Sequence, residues 1–218
     1  MSVKLHIRTW LPGVLLSLVS LAVPAAEITV SVLDAEGNAV SNAVVYISKV
    51  NGNTPTSGPM QVEVDQIDEM FVPHVRAATI GSSVAFPNSD HVRHHVYSFS
   101  DTRTFELPLY SGIPAEPVLF DKAGIVTLGC NIHDHMLGYI LILDSPWFVE
   151  ITNGAGNLNS IPEGDLSLEL WHPLLADDND ITRQIRVSKD DRITVEFVLN
   201  LKPEPMLRRA PRRTSKRY

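Results

Sequence analysis

From Glu27 onward, apolar and polar residues alternate with a period of two, which marks strands with one buried face. The pattern predicts strands in "EITVSVLD" (27–34), "AVVYISKV" (43–50), "MQVEVDQI" (60–67), "MFVPHVRAATI" (70–80) and "SSVAFPN" (82–88). It continues through "HHVYSFS" (94–100), "FELPLYSG" (105–112), where Pro108 breaks the run, "GIVTLGC" (124–130) and "MLGYILIL" (136–143). Clusters of Gly, Pro, Asn and Ser such as "AEGNAVSN" and "NGNTPTSGP" supply turns between them. Helical periodicity is almost absent, and no repeat of fixed period appears. After Pro146, "VEITNGAGNLNSIPEGDLSLELWHP" reads as strand, Gly turn, short strand, Pro-Gly turn and strand. "ITRQIRVSKDDRITVEFVLNL" adds two strands around a turn at 189–191. The expected fold class is all-β: one sandwich over 27–145 and a smaller one over 146–203. In a split arrangement, the N-terminal strands pair with the C-terminal ones instead.

The ends differ from this body. Lys4 and Arg8, the apolar "LPGVLLSLVSLA" (11–22) and the small residues of "VPAA" (23–26) form the pattern of a secretory signal over 1–26. The apolar run is shorter than the ~20 residues a membrane span needs, and Pro12 and Gly13 interrupt it. The chain is therefore expected in the periplasm, with no stable membrane span after signal cleavage. The tail 204–218 is basic and is expected to be disordered. The net charge of -7 conceals the contrast. The signal holds two basic residues and the stretch from Arg208 onward six, so residues 27–207 carry 10 basic residues against all 25 acids, or -15. Such a body draws cationic partners and repels anions, nucleic acid included.

Cys130 is the only cysteine, so an intramolecular disulfide is excluded, although exported domains often use such staples. It lies in "GCNIHDHMLGY" (129–139), where Cys-x-x-His-x-x-Met occupies one short loop between two strands. Such a loop turns thiolate, imidazole and thioether toward one point. A fourth ligand comes from another strand end, His94 or His95 in "FPNSDHVRHHVYSFS". Two His, one Cys and a weak Met form the blue-copper donor set. Zinc is the rival metal, preferring four firm ligands and leaving Met136 unexplained. Two other readings of Cys130 are an inert buried thiol and a nucleophile with His133 as base, but no oxyanion hole accompanies it.

The "CNIHDHM" spacing is similar to the amicyanin ligand loop and resembles the somewhat longer plastocyanin one. "GSSVAFPNSDHVRHHVYSF" resembles the cupredoxin segment Gly-x-x-Val-x-Phe-x-Asn followed by His-Asn-Val. The chain thus resembles cupredoxins, and more narrowly the periplasmic type often labelled methylamine utilization proteins. The resemblance implies a Greek-key β-sandwich holding one type 1 copper on His94, Cys130, His133 and Met136. Two departures stand out: His95 replaces the Asn that braces the ligand loops, and Gly129 replaces a bulkier residue. The second part resembles the transthyretin-like or carboxypeptidase-regulatory-like sandwich.

These readings point to a one-electron carrier, without substrate turnover, for a basic redox partner such as a c-type cytochrome or a periplasmic dehydrogenase. The alternatives are a copper chaperone or storage protein and a metal-free structural or adhesive module. Of the remaining histidines, His135 is expected to face solvent, His91 to lie in a loop, and His74 and His172 to be structural.

Overall fold

The computed structural model describes residues 26–203 except 115 and 177–180. The proposed signal and basic tail therefore lie outside the described residues, apart from Ala26. Seventeen strands and no helix occur among them.

The sandwich that carries the Cys-His-Met loop has a five-stranded sheet ordered β6-β12-β11-β8-β9. Its strands are β6 (Val75–Thr79), β12 (Leu137–Leu143), β11 (Gly124–Gly129), β8 (His94–Ser100) and β9 (Arg103–Tyr110). A three-stranded sheet packs against it: β10 (Val118–Phe120), β7 (Ser82–Ala85) and β3 (Gln61–Glu63), in that order. β4 (Asp65–Ile67) and β5 (Met70–Val72) form a separate hairpin. The alternating runs turn Val84, Phe86, Val96, Phe120, Val126, Leu128, Ile140 and Ile142 into one apolar core. Cys130 and Met136 belong to the same cluster. Pro108 does not end its strand, because β9 is the edge of its sheet and a missing N–H there breaks no ladder.

The other sandwich differs from the linear order. β1 (Ala26–Asp34) lies between β14 (Ala155–Ile161) and β17 (Arg192–Leu199). It pairs in parallel with β17 from Glu27↔Arg192 to Asp34↔Leu199. The facing sheet is β13 (Phe148–Glu150), β2 (Val44–Val50), β15 (Gly164–Trp171) and β16 (Ile181–Val187). The division into 27–145 and 146–203 thus gives way to a split arrangement, with residues 26–50 in the second sandwich. Alternation in β1 specifies that Ile28, Val30 and Val32 share a buried face, but it carries no information on which strand covers them.

A third apolar cluster joins the two sandwiches. Val75, Ala77, Leu141 and Leu143 from the outer face of the five-stranded sheet meet Val44 and Trp171. Arg76 and Glu150 span the same junction, with Nη1 3.2 Å from Oε2, and Glu150 Oε1 accepts the Ala77 N–H at 2.7 Å. Among the described residues, no helix is long and apolar enough to cross a membrane.

Candidate metal centre

β11 and β12 pair antiparallel up to Gly129↔Leu137, which leaves 130–136 as their connecting loop. The Met136 N–H donates to the His133 carbonyl at 2.8 Å, folding the loop into a turn. That turn presents Cys130 and His133 toward β8. On β8 the period of two separates the adjacent histidines. His94, Val96 and Ser98 are wholly buried, while His95, Tyr97 and Phe99 line the other face. His95 turns to Glu106, with Nε2 2.8 Å from Oε1, and takes no part in the site.

His94, Cys130 and His133 therefore converge, and they form a group that can hold a metal ion. Their donor atoms make a triangle. The two Nδ1 atoms are 3.1 Å apart, and each is 3.9 Å from Cys130 Sγ. A triangle with sides of 3.1, 3.9 and 3.9 Å has a circumradius of about 2.1 Å, close to a metal–nitrogen bond length. Cys130 is 3% exposed and His94 0%. His133 is half-buried, so the site has one side near solvent. Met136 is 2% exposed and packs in the same core cluster as Cys130. The soft thiolate and two imidazoles suit copper, and the donor spacing fits an ion.

The protonation of the ligands follows from their partners. His94 Nε2 lies 3.0 Å from Asp90 Oδ2. An ionised carboxylate only accepts, so Nε2 carries the proton and Nδ1 offers its lone pair to the site. Burial raises the Asp90 carboxyl, but the N–H groups of Glu69 and His91 and the His94 ring outweigh it and hold it below its ordinary value. Burial, with His94 nearby, lowers His133 and keeps its ring neutral. The two Nδ1 atoms face each other at 3.1 Å as hydrogen-bond partners, so one of them carries a proton that a metal ion would displace.

Loop bracing comes from Asn88 and Tyr110. Buried Asn88 donates from Nδ2 to the Val92 and Tyr110 carbonyls, both at 2.9 Å, and accepts the Asp90 N–H at 3.0 Å. Its backbone also bonds Gly112 in both directions. Asn88 thereby braces the loops where His95 does not. Tyr110 donates to the Phe86 carbonyl at 2.6 Å and sits 2.5 Å from Gln66 Nε2; burial pushes its phenol up to about 12.

His135 corrects an expectation. Its side chain is only 8% exposed, and its Nε2 lies 3.3 Å from Glu69 Oε2. His91 is exposed in its loop, and His74 packs edge-on against Tyr139. His172 is buried and structural: Nε2 donates to the Ser41 carbonyl at 3.1 Å and Nδ1 accepts the Leu174 N–H at 3.1 Å. Gly129 is where a side chain is excluded. A Cβ there would stand 2.7 Å from Tyr97 Cζ, so the Tyr97 ring lies on the backbone just before Cys130.

No protein-family model and no curated protein matches the sequence. Solved structures of cupredoxins are similar to part of it. A purple cupredoxin from Nitrosopumilus maritimus matches at 16% identity and TM-score 0.34, over 37% of this chain and 98% of that one. A Cu-containing nitrite reductase from Thermus scotoductus SA-01 matches at 24% identity and TM-score 0.36, over 42% of this chain and 24% of that one. An amicyanin mutant in its reduced state matches at 20% identity and TM-score 0.34, over 37% of this chain and 80% of that one.

Proposed function

We propose that the protein binds one type 1 copper ion on His94, Cys130, His133 and Met136 and carries single electrons in the periplasm. The observation that carries this reading is the convergence of two imidazole nitrogens and one thiol sulfur on a triangle with sides of 3.1, 3.9 and 3.9 Å. Copper held there supplies a one-electron couple. The Cys130 thiolate and the His94 and His133 imidazoles would hold the ion, with the Met136 thioether as a further, weaker ligand. The buried ligands and hydrogen-bonded loops favour a fixed coordination geometry, which suits electron transfer better than handing the ion to an acceptor. His133 provides the edge nearest solvent. The loops at this end expose Val92, Ile113 and Ile132, an apolar surface against which a partner excludes water. The acidic body steers a basic partner, such as a c-type cytochrome or a dehydrogenase.

The test is the visible spectrum of the purified protein with Cu(II) beside Cys130→Ser. An intense thiolate-to-copper band present only in the unsubstituted protein is the expected result. A colourless protein that binds one Cu(I) would transfer the reading to copper handling. Failure to bind either ion would leave a metal-free module.

A further inference from the structure

The hairpin of β4 and β5 lies along the segment that leads into His94. Its two-residue turn, Asp68-Glu69, has both residues in the left-handed region, with φ of 52° and 58°, between the paired Ile67 and Met70. The Glu69 N–H donates to Asp90 Oδ2 at 2.7 Å. Asp65 accepts from the Ser89 N–H at 3.1 Å and its hydroxyl at 2.7 Å, and Gln66 Nε2 donates to the Pro87 carbonyl at 2.9 Å. On its other side the hairpin presses Phe71 onto β12, where a Cβ at Gly138 would stand 2.8 Å from Phe71 Cβ. The hairpin thus ties the chain before His94 to the strand that follows Met136.

We propose that Asp90, anchored by the turn of this hairpin, is the positioning residue of the metal centre. Its carboxylate fixes the His94 ring with Nδ1 toward Cys130 and His133 and places a negative charge behind that ligand. Three donors converge on this carboxylate. His94 Nε2 and the Glu69 N–H meet Oδ2 at 3.0 and 2.7 Å, and the His91 N–H meets Oδ1 at 2.8 Å. The Asp90 side chain is 10% exposed and the His94 side chain 0%, so water has little room to take over either role. Without the carboxylate, the buried ring has no acceptor that selects the Nε2–H tautomer. With it, the imidazole is also a stronger donor to a metal.

This inference rests on the copper reading for its metal-dependent part only. The experiment compares unsubstituted protein, Asp90→Asn and Asp90→Ala, with folding checked by circular dichroism. Nitrogen NMR of the metal-free proteins reads the His94 tautomer. Competition with chelators reads the Cu(I) and Cu(II) affinities. The expected tautomer is Nε2–H in the unsubstituted protein and in Asp90→Asn, whose side-chain oxygen still accepts. In Asp90→Ala the tautomer preference is lost and copper affinity falls about 10- to 100-fold. Asp90→Asn keeps the geometry and loses the charge, so its preference for Cu(II) over Cu(I) falls about tenfold, or 59 mV for one electron. An unchanged tautomer in Asp90→Ala would overturn the positioning role. An unchanged Cu(II) to Cu(I) ratio in Asp90→Asn would overturn the charge role. Failure of all three proteins to bind copper would sink the copper reading, while the tautomer would still decide the positioning.

Discussion

The sandwich built from β1, β2 and β13–β17 has an interior of aliphatic side chains with Phe197 among them. The sandwich built from β3–β12 also buries Gln66, Thr79, Ser82, Asn88, His94, His95 and Ser98. Buried polar groups are costly unless bonded, so each needs a partner at a defined place. Most of these find one: Asn88 with Val92 and Tyr110, Gln66 with Pro87, Ser82 with the Met60 N–H. One sandwich is thus held mainly by apolar area, with His172 bonded to Ser41 and Leu174 at its end, and the other adds a bonded polar frame that aims His94. The candidate metal centre lies in the sandwich with the polar frame, and the other is joined to it through Trp171, Leu141 and Leu143.

The largest expected effect separates the two regions by chemistry. Cys130→Ser removes the thiolate and with it the whole charge-transfer band, while urea unfolding of the metal-free protein shifts by less than about 1.5 kcal/mol, the range of a near-isosteric change. Leu168→Ala does the reverse. Leu168 is 0% exposed in the aliphatic core, so its truncation costs about 2–5 kcal/mol. The copper spectrum of the protein that remains folded stays unchanged. A spectrum altered by Leu168→Ala would break the comparison, because the other sandwich would then be shaping the site.

The ligand loop was legible because its information is local. Cys130, His133 and Met136 lie three residues apart, and a short turn is enough to bring the first two together. The period of two sends His94 and His95 to opposite faces of β8 without saying which one meets the loop, and only the cupredoxin resemblance singled out His94. The frame around them was not legible. Asp90 is anchored by the Glu69 N–H, which comes from a hairpin 21 residues earlier. Nothing in the spacing announces that pairing. The partner of β1 was hidden for a related reason, since alternation fixes a face and leaves the neighbour open. Pro108 misled because its effect depends on whether its strand is at an edge, a property of the sheet rather than of the segment.

Glycines sharpen the comparison at smaller amplitude. A Cβ at Gly138 meets Phe71 at its Cβ, 2.8 Å away, next to the backbone of the hairpin. A Cβ at Gly156 meets the end of Ile151, with Cδ1 at 2.7 Å, and a Val149 methyl at 2.8 Å. The Ile151 methyl can rotate aside, whereas Phe71 moves only with its strand. Gly138→Ala is therefore expected to cost about 1–3 kcal/mol in urea unfolding and to weaken copper binding through the displaced hairpin. Gly156→Ala is expected to cost less and to leave copper binding unchanged. Equal copper affinities in the two variants would show that the hairpin does not hold the site.

The smallest effect concerns protons and lies at the junction, away from the ligands. His172 has both ring nitrogens engaged as a neutral ring, Nε2 donating to Ser41 and Nδ1 accepting from Leu174. Protonation would set an Nδ1–H against the Leu174 N–H inside a buried site. Burial, the main cause, lowers its pKa below the ordinary 6.5, the Ser41 bond opposing and nearby His74 adding to the fall. The unfolded chain therefore takes up the proton first as pH falls. This contribution to stability is intact above about pH 6.5, declines below it, and levels off once the pH passes the lowered folded value. Unfolding of metal-free protein between pH 7.5 and 5 is expected to show that decline, and His172→Gln to flatten it. Because His172 touches no ligand, the tautomer of His94 and the copper spectrum at pH 7.5 are expected to be the same in both proteins. A pH dependence left intact by His172→Gln would assign the decline to other groups, with His133 the next to test.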